Sequence, residues 1–400
     1  MVINRIPKFL EKICGIKINV LKSLANIQHI GISANTAFNL YNFRLGLIKA
    51  LQNAGYKVFA IAPYDEYADK LIAEDIPFIE VKQLARKGTN PFQDFLLMNE
   101  YRKIFKKNKI DIVLQYTIKP NIYGTLAAVF TNTKTICTVT GLGYTFLNDS
   151  LSNKIAHRLY KLSFGKANIV LFQNADDLQL FLEKGLVQKD KAGVVNGSGI
   201  DTDYFYPEFC KDKINNEQQK QTAFLMVARL LKDKGVYEYI TAATKILSEN
   251  KNAVFHLLGA LDDGNPAAIK KQELEDWINS GIIIYHPHTH DIRSYYCDAD
   301  CVVLPSYREG MPRVLLEAMA MGKPCITTDA PGCKDAVVED NTGFICSTGN
   351  SASLAFCMRN FINLNIEYKN QLGINARKRA INEYSITHIV KFYFDLIKKV

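Results

Sequence analysis

The sequence contains no long hydrophobic run. Although 48% of its 400 residues are hydrophobic, no apolar stretch approaches the roughly 18 to 20 residues that a membrane-spanning helix needs. Residues 1–28 mix lysine and arginine with single apolar residues and lack the continuous apolar core of a signal peptide. This basic segment is either an amphipathic segment on a membrane surface or an extension without a role. With 22% charged residues, the composition is typical of a soluble globular protein, and the length favours two domains.

Cysteines are present, but not in a pattern that binds metal. The nine cysteines are odd in number and scattered, and several lie in apolar runs such as CVVLP (301–305) and PCITT (324–328). Cys297 and Cys301 are four residues apart, yet no second cysteine or histidine pair stands at a distance typical of zinc sites. We therefore expect reduced thiols in a cytoplasmic protein and no metal site.

Signatures of nucleic-acid binding are also absent, although the first half of the chain is basic. Residues 1–200 contain 26 Lys and Arg against 15 Asp and Glu, and residues 201–400 contain 23 against 25, so net charges of +11 and −2 give the total of +9. The densest basic stretch, YRKIFKKNK (101–109), lacks the glycine and aromatic pattern of RNA-binding strands. The basic half indicates an anionic membrane surface or a diphosphate-bearing substrate, with a solvated helix face as the alternative.

From residue 29 onward, short apolar runs alternate with longer helical patterns. Runs such as HIGISA (29–34) and IDIVLQY (110–116) are rich in Val and Ile and are typical of buried strands. A polar segment interrupts the alternation, which restarts with AFLMVARL (223–230). We expect an α/β protein with two doubly wound Rossmann-like domains that face a cleft.

The predicted organisation has five parts. They are a basic N-terminal extension (1–28), a first domain (29–206), a linker (207–222), a second domain (223–382) and a C-terminal helix (383–400). The last part contains an amphipathic pattern whose apolar face must be buried, either in its own domain or against the first.

The stretch SYREGMPRVLLEAMAMG (306–322) is the strongest candidate site. It follows the predicted strand CVVLP, so Glu309 lies in a loop at the carboxyl end of that strand, and Pro312 suits the first position of the next helix. The helix N-terminus could hold a phosphate, while Glu309 accepts hydrogen bonds from hydroxyls and Glu317 binds a vicinal diol. Spacing alone is weak support, because EYADKLIAE (66–74) places two glutamates equally far apart without such a loop.

A second group of residues begins the same half. The strand FLMVARL (224–230) is followed by LKDKG, which brings Arg229 and Lys234 to the carboxyl end of another strand. Two fixed cations there would neutralise a diphosphate and stabilise it as a leaving group. Together with the glutamate loop, this pair predicts a diphosphate clamp.

These motifs resemble those of a known family, the retaining glycosyltransferases of the GT-B fold, family 4. The resemblance rests on ARLLKDKG (228–235), on residues 298–333 and on VVEDNTGFIC (337–346), and it extends over nearly all of residues 29–400. It implies that Arg229, Lys234 and Glu309 are catalytic. The donor site that it implies consists of Arg229 and Lys234 at the diphosphate, Glu309 at the sugar hydroxyls, Glu317 at the nucleotide ribose, Gly310, Met311, Pro312 and Arg313 near the sugar and distal phosphate, and His286 near the base.

Within that family, the chain looks most like bacterial enzymes that add N-acetylgalactosamine or related sugars to polyprenyl-diphosphate-linked saccharides. The likeness runs through NLYNFR (39–44), NPF (90–92), the region of Lys119, GLG (141–143) and LYKLSF (159–164). It implies a UDP-sugar donor and a lipid-linked saccharide acceptor bound by the first domain. The basic first half and the basic N-terminal segment predict a peripheral position on the inner face of the cell membrane. The likeness implies neither a cofactor nor a nucleic-acid partner.

Parts of the first domain depart from the family pattern. The first loop after a strand has Asn35 and Thr36 where many relatives carry glycines, and both are candidates for the acceptor or a phosphate. The stretch YTIKPN (116–121) lacks the usual histidine, so Lys119 is the candidate substitute at the acceptor phosphate. Gly141 belongs either to a loop that approaches the ligand closely or to a tight turn.

No covalent nucleophile is apparent. The resemblance implies an ion-pair-like step with the leaving phosphate as base, so a retaining transfer would depend mostly on positioning and electrostatics. A metal-dependent transferase of the other major fold would need an Asp-x-Asp after a strand, and the strings at Asp201 and Asp298 are poorly placed for it. An oxidoreductase would need G-x-G-x-x-G after the first strand. A sugar-nucleotide epimerase of the same fold, or a transferase with another nucleotide sugar, remains an alternative.

Overall fold

The computed structural model describes seven stretches of the chain. They are residues 27–84, 90–142, 151–213, 221–249, 252–262, 264–289 and 291–400. The described residues form two compact units. The chain passes from the first to the second after Gly199 and returns to the first at Ile386, and the stretch that begins at Gly141, after β5, also groups with the second unit. The predicted α/β class, with two parallel sheets, is confirmed.

The first unit contains a seven-stranded parallel sheet. Its strands are β1 (His29–Ser33), β2 (Lys57–Ala62), β3 (Phe78–Glu80), β4 (Ile112–Tyr116), β5 (Lys134–Val139), β6 (Ile169–Phe172) and β7 (Ala192–Val194). Their order is β3-β2-β1-β4-β5-β6-β7, so the direction of winding reverses between β1 and β4. Ligands of open parallel sheets bind outside the carboxyl ends of the strands at such a reversal.

Helices cover both faces of this sheet. They are α1 (Ala37–Asn53), α2 (Glu66–Ala73), α3 (Pro91–Lys107), α4 (Thr125–Ala128), α5 (Leu151–Phe164) and α6 (Ala175–Glu183), with a π-helical turn at Pro120–Gly124. Because crossovers between parallel strands are right-handed, the helices that lead from β3 toward β7 lie on one face, and α1 and α2 lie on the other.

The second unit contains a six-stranded parallel sheet with the order β10-β9-β8-β11-β12-β13. The strands are β8 (Thr222–Val227), β9 (Ala253–Leu258), β10 (Ile284–His286), β11 (Cys301–Leu304), β12 (Cys325–Thr328) and β13 (Gly343–Cys346). The helices are α7 (Val236–Glu249), α8 (Lys271–Asn279), α9 (Arg293–Asp298), α10 (Arg313–Ala320), α11 (Cys333–Ala336), α12 (Ser351–Asn363) and α13 (Ile366–Tyr384). The winding reverses between β8 and β11, which are the two strands that precede the predicted clamp and the glutamate loop.

The last helix, α14 (Ile386–Ile397), belongs to the first unit. Its buried face, with Ile389, Tyr393 and Ile397, joins the hydrophobic core around β1, β2 and β4. The Tyr393 hydroxyl lies 3.0 Å from the hydroxyl of Thr138 at the end of β5. Burial of this face accounts for the strong amphipathic pattern of the sequence.

The expectation of reduced thiols is wrong for one pair of cysteines. Cys210 and Cys297 form a disulfide, with Cα atoms 5.3 Å apart and a separation of 87 positions in sequence. Cys210 lies in the short 3₁₀ segment Pro207–Lys213, at the start of the expected linker, and it packs into the second unit's core. The sequence could not reveal this pair, since only the fold brings the segment against α9. Six other cysteines are free and buried, and Cys14 lies outside the described residues.

Among the described residues, no helix is both long and apolar enough to span a bilayer.

Candidate functional site

The loop after β11 holds Glu309 in contact with a cation from another strand. Lys234 Nζ lies 2.5 Å from Glu309 Oε1, and the Ser306 hydroxyl donates to the same oxygen at 2.9 Å. Both charged side chains are only 17% exposed. The two residues predicted to contact one donor molecule are therefore brought together, and each neutralises the other in this structure.

Close backbone packing places Lys234 at the glutamate loop. Gly235, which follows Lys234, has a φ of +75°, and a Cβ there would lie 2.1 Å from the Pro305 carbonyl oxygen. The Tyr307 amide donates to the Asp233 carbonyl at 2.9 Å. Only glycine allows the loop after β8 to approach the end of β11 so closely.

The second glutamate, Glu317, lies in α10 and is 8% exposed. Arg313 Nε donates to its Oε1 at 2.6 Å, and the hydroxyl of the fully buried Tyr296 donates to its Oε2 at 3.0 Å. Pro312 is the residue before the first helical position, one residue earlier than expected. Tyr296 gives no sequence signal of a role, but it fixes the rotamer of Glu317; burial and the nearby carboxylate raise the pKa of this tyrosine.

Two glycines lie against the Glu309–Gly310 backbone. At Gly332, with φ +80°, a Cβ would lie 2.3 Å from the Glu309 carbonyl oxygen. At Gly141, with φ +118°, a Cβ would lie 3.0 Å from the Gly310 nitrogen. Gly141 groups with the second unit, and its neighbour in this structure is protein backbone, so a role for Gly141 at a ligand stays a prediction.

Arg229 does not share the Lys234 environment. Its side chain is 55% exposed, and its Nη1 lies 2.9 Å from Asp262 Oδ2. Sequence reasoning did not select Asp262, which lies in the loop after β9. In this structure the expected clamp thus consists of two cations, each with a carboxylate partner.

His286, expected near the base, ends β10 and stacks on His256 of β9. His256 Nδ1 lies 3.0 Å from His286 Nε2. The ring of Tyr295 packs edge-on against His286, with the ring centroids 4.8 Å apart. Burial lowers the pKa of both histidines, and for His256 the neighbouring His286 lowers it further, whereas Asp298 opposes the shift. Burial therefore favours the neutral form of both rings.

In the first unit, the predicted residues lie at the reversal between β1 and β4. Thr36 caps α1, with its Oγ1 accepting from the Asn39 amide at 3.1 Å, and the neighbouring Asn35 is half-buried. Lys119 Nζ lies 3.2 Å from Asp94 Oδ1, and Tyr123 donates to Oδ2 of that aspartate at 2.7 Å.

The backbone just before Lys119 is strained. Thr117 has a φ of +70°, which is unfavourable for a β-branched residue. Such strain concentrates at functional sites and persists because the surrounding structure enforces it. Asp94 and Thr117 were not selected from the sequence.

The Asp-x-Asp strings have structural roles. Asp201 Oδ1 accepts from the amides of Asp203 and Tyr204 at 3.0 Å, and Asp300 Oδ2 accepts from the Ala223 amide at 2.8 Å. Across the described stretches, no group of three or more His, Cys, Asp or Glu side chains could hold a metal ion.

Solved structures establish the class of fold. A glycosyltransferase from Rickettsia africae superposes with a TM-score of 0.77 at 22% identity, covering 94% of this chain and 98% of that one. Anabaena HepE, solved in complex with UDP, superposes with a TM-score of 0.74 at 17% identity, covering 94% of this chain and 100% of that one. Two parallel α/β units matched over their full length define the GT-B glycosyltransferase fold.

The family follows from sequence comparison. Glycosyl transferases group 1 matches residues 210–379, and the Glycosyl transferase 4-like family matches residues 30–174. A Campylobacter jejuni protein is 30% identical over 93% of this chain and 99% of its own length; it is the N,N'-diacetylbacillosaminyl-diphospho-undecaprenol alpha-1,3-N-acetylgalactosaminyltransferase. A protein from Escherichia coli is 24% identical over 88% of this chain and 95% of its own length; it is the UDP-Gal:alpha-D-GlcNAc-diphosphoundecaprenol alpha-1,3-galactosyltransferase. The chain belongs to the group 1, family 4-like glycosyltransferases.

Proposed function

We propose that this glycosyltransferase moves an N-acetylhexosamine, such as N-acetylgalactosamine, from a UDP-sugar to a polyprenyl-diphosphate-linked saccharide with retention of anomeric configuration. The Campylobacter relative supports the sugar and the acceptor, and the E. coli relative supports a UDP donor. The observation that carries the proposal is the pair of largely buried carboxylates, Glu309 and Glu317, each held by a cation beside β11. The product belongs to bacterial surface glycan assembly.

The geometry supports a division of labour at the donor. Lys234, freed from Glu309 by a bound donor, neutralises the diphosphate, and Arg229 contributes the second charge. Glu309 then accepts hydrogen bonds from the sugar hydroxyls, and Glu317, oriented by Arg313 and Tyr296, binds the ribose diol. Stabilising the leaving diphosphate lowers the barrier because its charge grows in the transition state.

We further propose that transfer needs no metal, since Lys234 and Arg229 supply the positive charge that a metal would supply elsewhere. Initial rates with and without 5 mM EDTA, after dialysis against chelator, test this point. Equal rates are expected. Activity that disappears with EDTA and returns with Mg²⁺ or Mn²⁺ would contradict it.

A donor and acceptor panel tests the function itself. UDP-GalNAc, UDP-GlcNAc, UDP-Gal and GDP-mannose are first compared for protection against heat, because a ligand that binds the folded state raises its melting temperature. The protected donor is then supplied with undecaprenyl-diphosphate-linked saccharides, and the anomeric configuration of the product is determined by NMR.

Transfer from a UDP-N-acetylhexosamine with retention is the expected result. Consumption of donor without an acceptor product would instead favour the epimerase alternative, and protection by GDP-mannose alone would favour another nucleotide sugar.

We also place the enzyme on the cytoplasmic face of the cell membrane, bound peripherally. The +11 charge of residues 1–200 supports this position, and so does a lipid-linked acceptor.

A further inference from the structure

We propose that Arg44 is the centre of an anion-binding site in the first unit and that this site takes a phosphate group of the acceptor. Arg44 ends the stretch NLYNFR (39–44), which carries part of the family likeness but has no role in the proposed function. It lies in α1 and is only 3% exposed. The assignment to the acceptor rests on the proposed function, whereas the anion site itself does not.

The Arg44 guanidinium has no carboxylate partner among the residues that the structure describes. None of the ion pairs there includes Arg44, and no hydrogen bond reaches its side chain. Its Nε is wholly shielded from solvent and has no hydrogen-bond partner. An arginine stays charged even when it is buried, so donors held away from water without an acceptor are costly. The first unit therefore keeps a buried positive charge that its described residues do not neutralise.

The contact that orients Arg44 leaves its charge uncompensated. The guanidinium carbon lies 3.8 Å from the centre of the Tyr116 ring, at the end of β4. The ring face attracts a cation, but it gives the N–H groups no acceptor in their own plane. Burial raises the pKa of Tyr116 well above its usual range, and the neighbouring Tyr393 raises it further, whereas Arg44 lowers it. Tyr116 therefore stays neutral and is not a counterion.

Arg44 lies at the edge of the first sheet that carries the predicted acceptor residues. Long side chains of a helix point back toward its N-terminus, and α1 begins directly after Asn35 and Thr36. Tyr116, which lies under the guanidinium, precedes the strained Thr117 at the carboxyl end of β4. The cation is therefore placed beside the reversal between β1 and β4, where ligands of open parallel sheets bind.

The open end of the guanidinium suits a phosphate group. The Nη nitrogens of Arg44 have no hydrogen bond to any described residue, but they are not wholly shielded from solvent. Two N–H groups of a planar guanidinium can donate parallel hydrogen bonds to two phosphate oxygens. Lys119, the cation selected from the sequence, already has Asp94 as its partner. Arg44 is thus the cation of this edge with donors to offer, and the acceptor of the proposed reaction carries two phosphates.

Thermal unfolding of the full chain with pyrophosphate tests the anion site. Sodium pyrophosphate at 10 mM is compared with sodium chloride of the same ionic strength, for the wild type, Arg44→Met and Arg44→Lys. The matched control is Arg102→Met, because Arg102 also lies over an aromatic ring, that of Phe130 at 5.8 Å, but is exposed. Pyrophosphate can also reach the donor clamp, so only the difference between variants is assigned to Arg44.

Pyrophosphate should raise the melting temperature of the wild type, because a ligand that binds the folded state stabilises it. Arg44→Met should lose at least half of this rise, and Arg44→Lys should lose part of it because it lacks the planar fork. Arg102→Met should keep the rise. In chloride, Arg44→Met should melt no lower than the wild type, since an apolar side chain removes an unpaired buried charge.

No rise in the wild type, an undiminished rise in Arg44→Met or an equal loss in Arg102→Met would overturn the anion site. A lower melting temperature of Arg44→Met in chloride, together with an undiminished rise, would give Arg44 a purely structural role. If Arg44→Met does not fold, Arg44→Lys decides, and an undiminished rise in that variant would overturn the site.

Two water-soluble acceptors test the assignment to the acceptor. One carries the saccharide on a short-chain prenyl diphosphate, and the other is an alkyl glycoside of the same saccharide without phosphate. Arg44→Met should lower kcat/KM for the first by about tenfold or more, mainly through KM, because a charge-assisted contact is lost. It should leave kcat/KM for the alkyl glycoside within about threefold of wild type, as expected for a contact made only to phosphate.

Unchanged kcat/KM with the diphosphate acceptor, or an equal loss with both acceptors, would overturn the assignment to the acceptor. A pyrophosphate effect that still depended on Arg44 would then identify free phosphate as the ligand. Absence of transfer by every protein, wild type included, would contradict the proposed function and leave the result with pyrophosphate standing.

Discussion

At the scale of single residues, the candidate donor site consists of opposite charges that compensate each other. The Lys234–Glu309 and Arg313–Glu317 pairs are largely shielded from water, so each charge would be costly to leave unpaired. In the proposed function, a bound donor replaces these contacts with equivalent ones. This exchange makes the roles of the pairs measurable.

Replacing Lys234 by alanine should reduce kcat/KM for transfer by about 10²–10³-fold, because a preorganised charge at the leaving group is lost. Glu309→Ala should have an effect of similar size. Lys232→Ala serves as the control, because it removes an exposed lysine from the 3₁₀ turn Lys232–Lys234 that also contains Lys234. Steady-state kinetics with a soluble acceptor give the comparison, and near wild-type turnover in either site variant would rule out the assignment.

The stacked histidines predict a pH dependence of stability. Their pKa values are lowered in the folded state, so below about pH 6.5 the unfolded state binds protons more readily. The free energy of unfolding should therefore fall as the pH drops from 7.5 to 5.5, and His256→Gln should weaken this fall.

Urea unfolding at pH 7.5 and pH 5.5 measures the change in the free energy of unfolding. His288→Gln, at an exposed histidine beyond β10, is the control. An unchanged pH dependence in His256→Gln would show that the pair does not contribute.

At the scale of elements, the site depends on loops that touch through backbone atoms. The loops after β8, β11 and β12 meet where Gly235 contacts Pro305 and Gly332 contacts Glu309. Parallel strands place these loops at one edge, because every strand of the sheet ends on the same side. The spacing of charged residues within any one loop contains no information about this contact.

Gly332→Ala should displace the Glu309 loop, since its Cβ would overlap the Glu309 carbonyl oxygen. Transfer activity should fall by at least tenfold, with a loss of stability of about 1–3 kcal/mol. Gly281 has a similar φ of +71°, and a Cβ there would meet open space. Gly281→Ala therefore measures backbone strain alone, with an expected loss of stability of about 1–2 kcal/mol. Equal activity in the two variants would exclude a positioning role for Gly332.

At the scale of the whole molecule, the chain leaves its first unit and returns to complete it. Tyr393 of α14 is fully buried among residues placed more than 250 positions earlier, including Thr138. The core of the first unit therefore depends on α14, which follows the whole second unit in the sequence.

Tyr393→Ala should lower the free energy of unfolding by about 3–5 kcal/mol, because it leaves a cavity and removes a buried hydrogen bond. Lys391→Ala, at an exposed position of the same helix, should change it by less than about 0.5 kcal/mol. Denaturation followed by far-UV circular dichroism measures both, and equal midpoints would contradict the packing of α14.

The sequence by itself determined the α/β class, the two parallel sheets and the loop that carries Glu309. These features rest on local periodicity and on the rule that residues after parallel strands share one edge. The same reasoning from residues after strands selected Arg229 and Lys234, and Glu317 in the helix that follows the loop. The family resemblance added their specific contacts with the donor, which stay predictions.

Only the tertiary structure decided the partners of these residues. It paired Lys234 with Glu309, Arg229 with Asp262 and Cys210 with Cys297, and it placed Tyr296 behind Glu317. Each partner is more than 20 residues away in sequence, and side-chain contacts over such distances depend on how the strands order and pack, which no local pattern encodes.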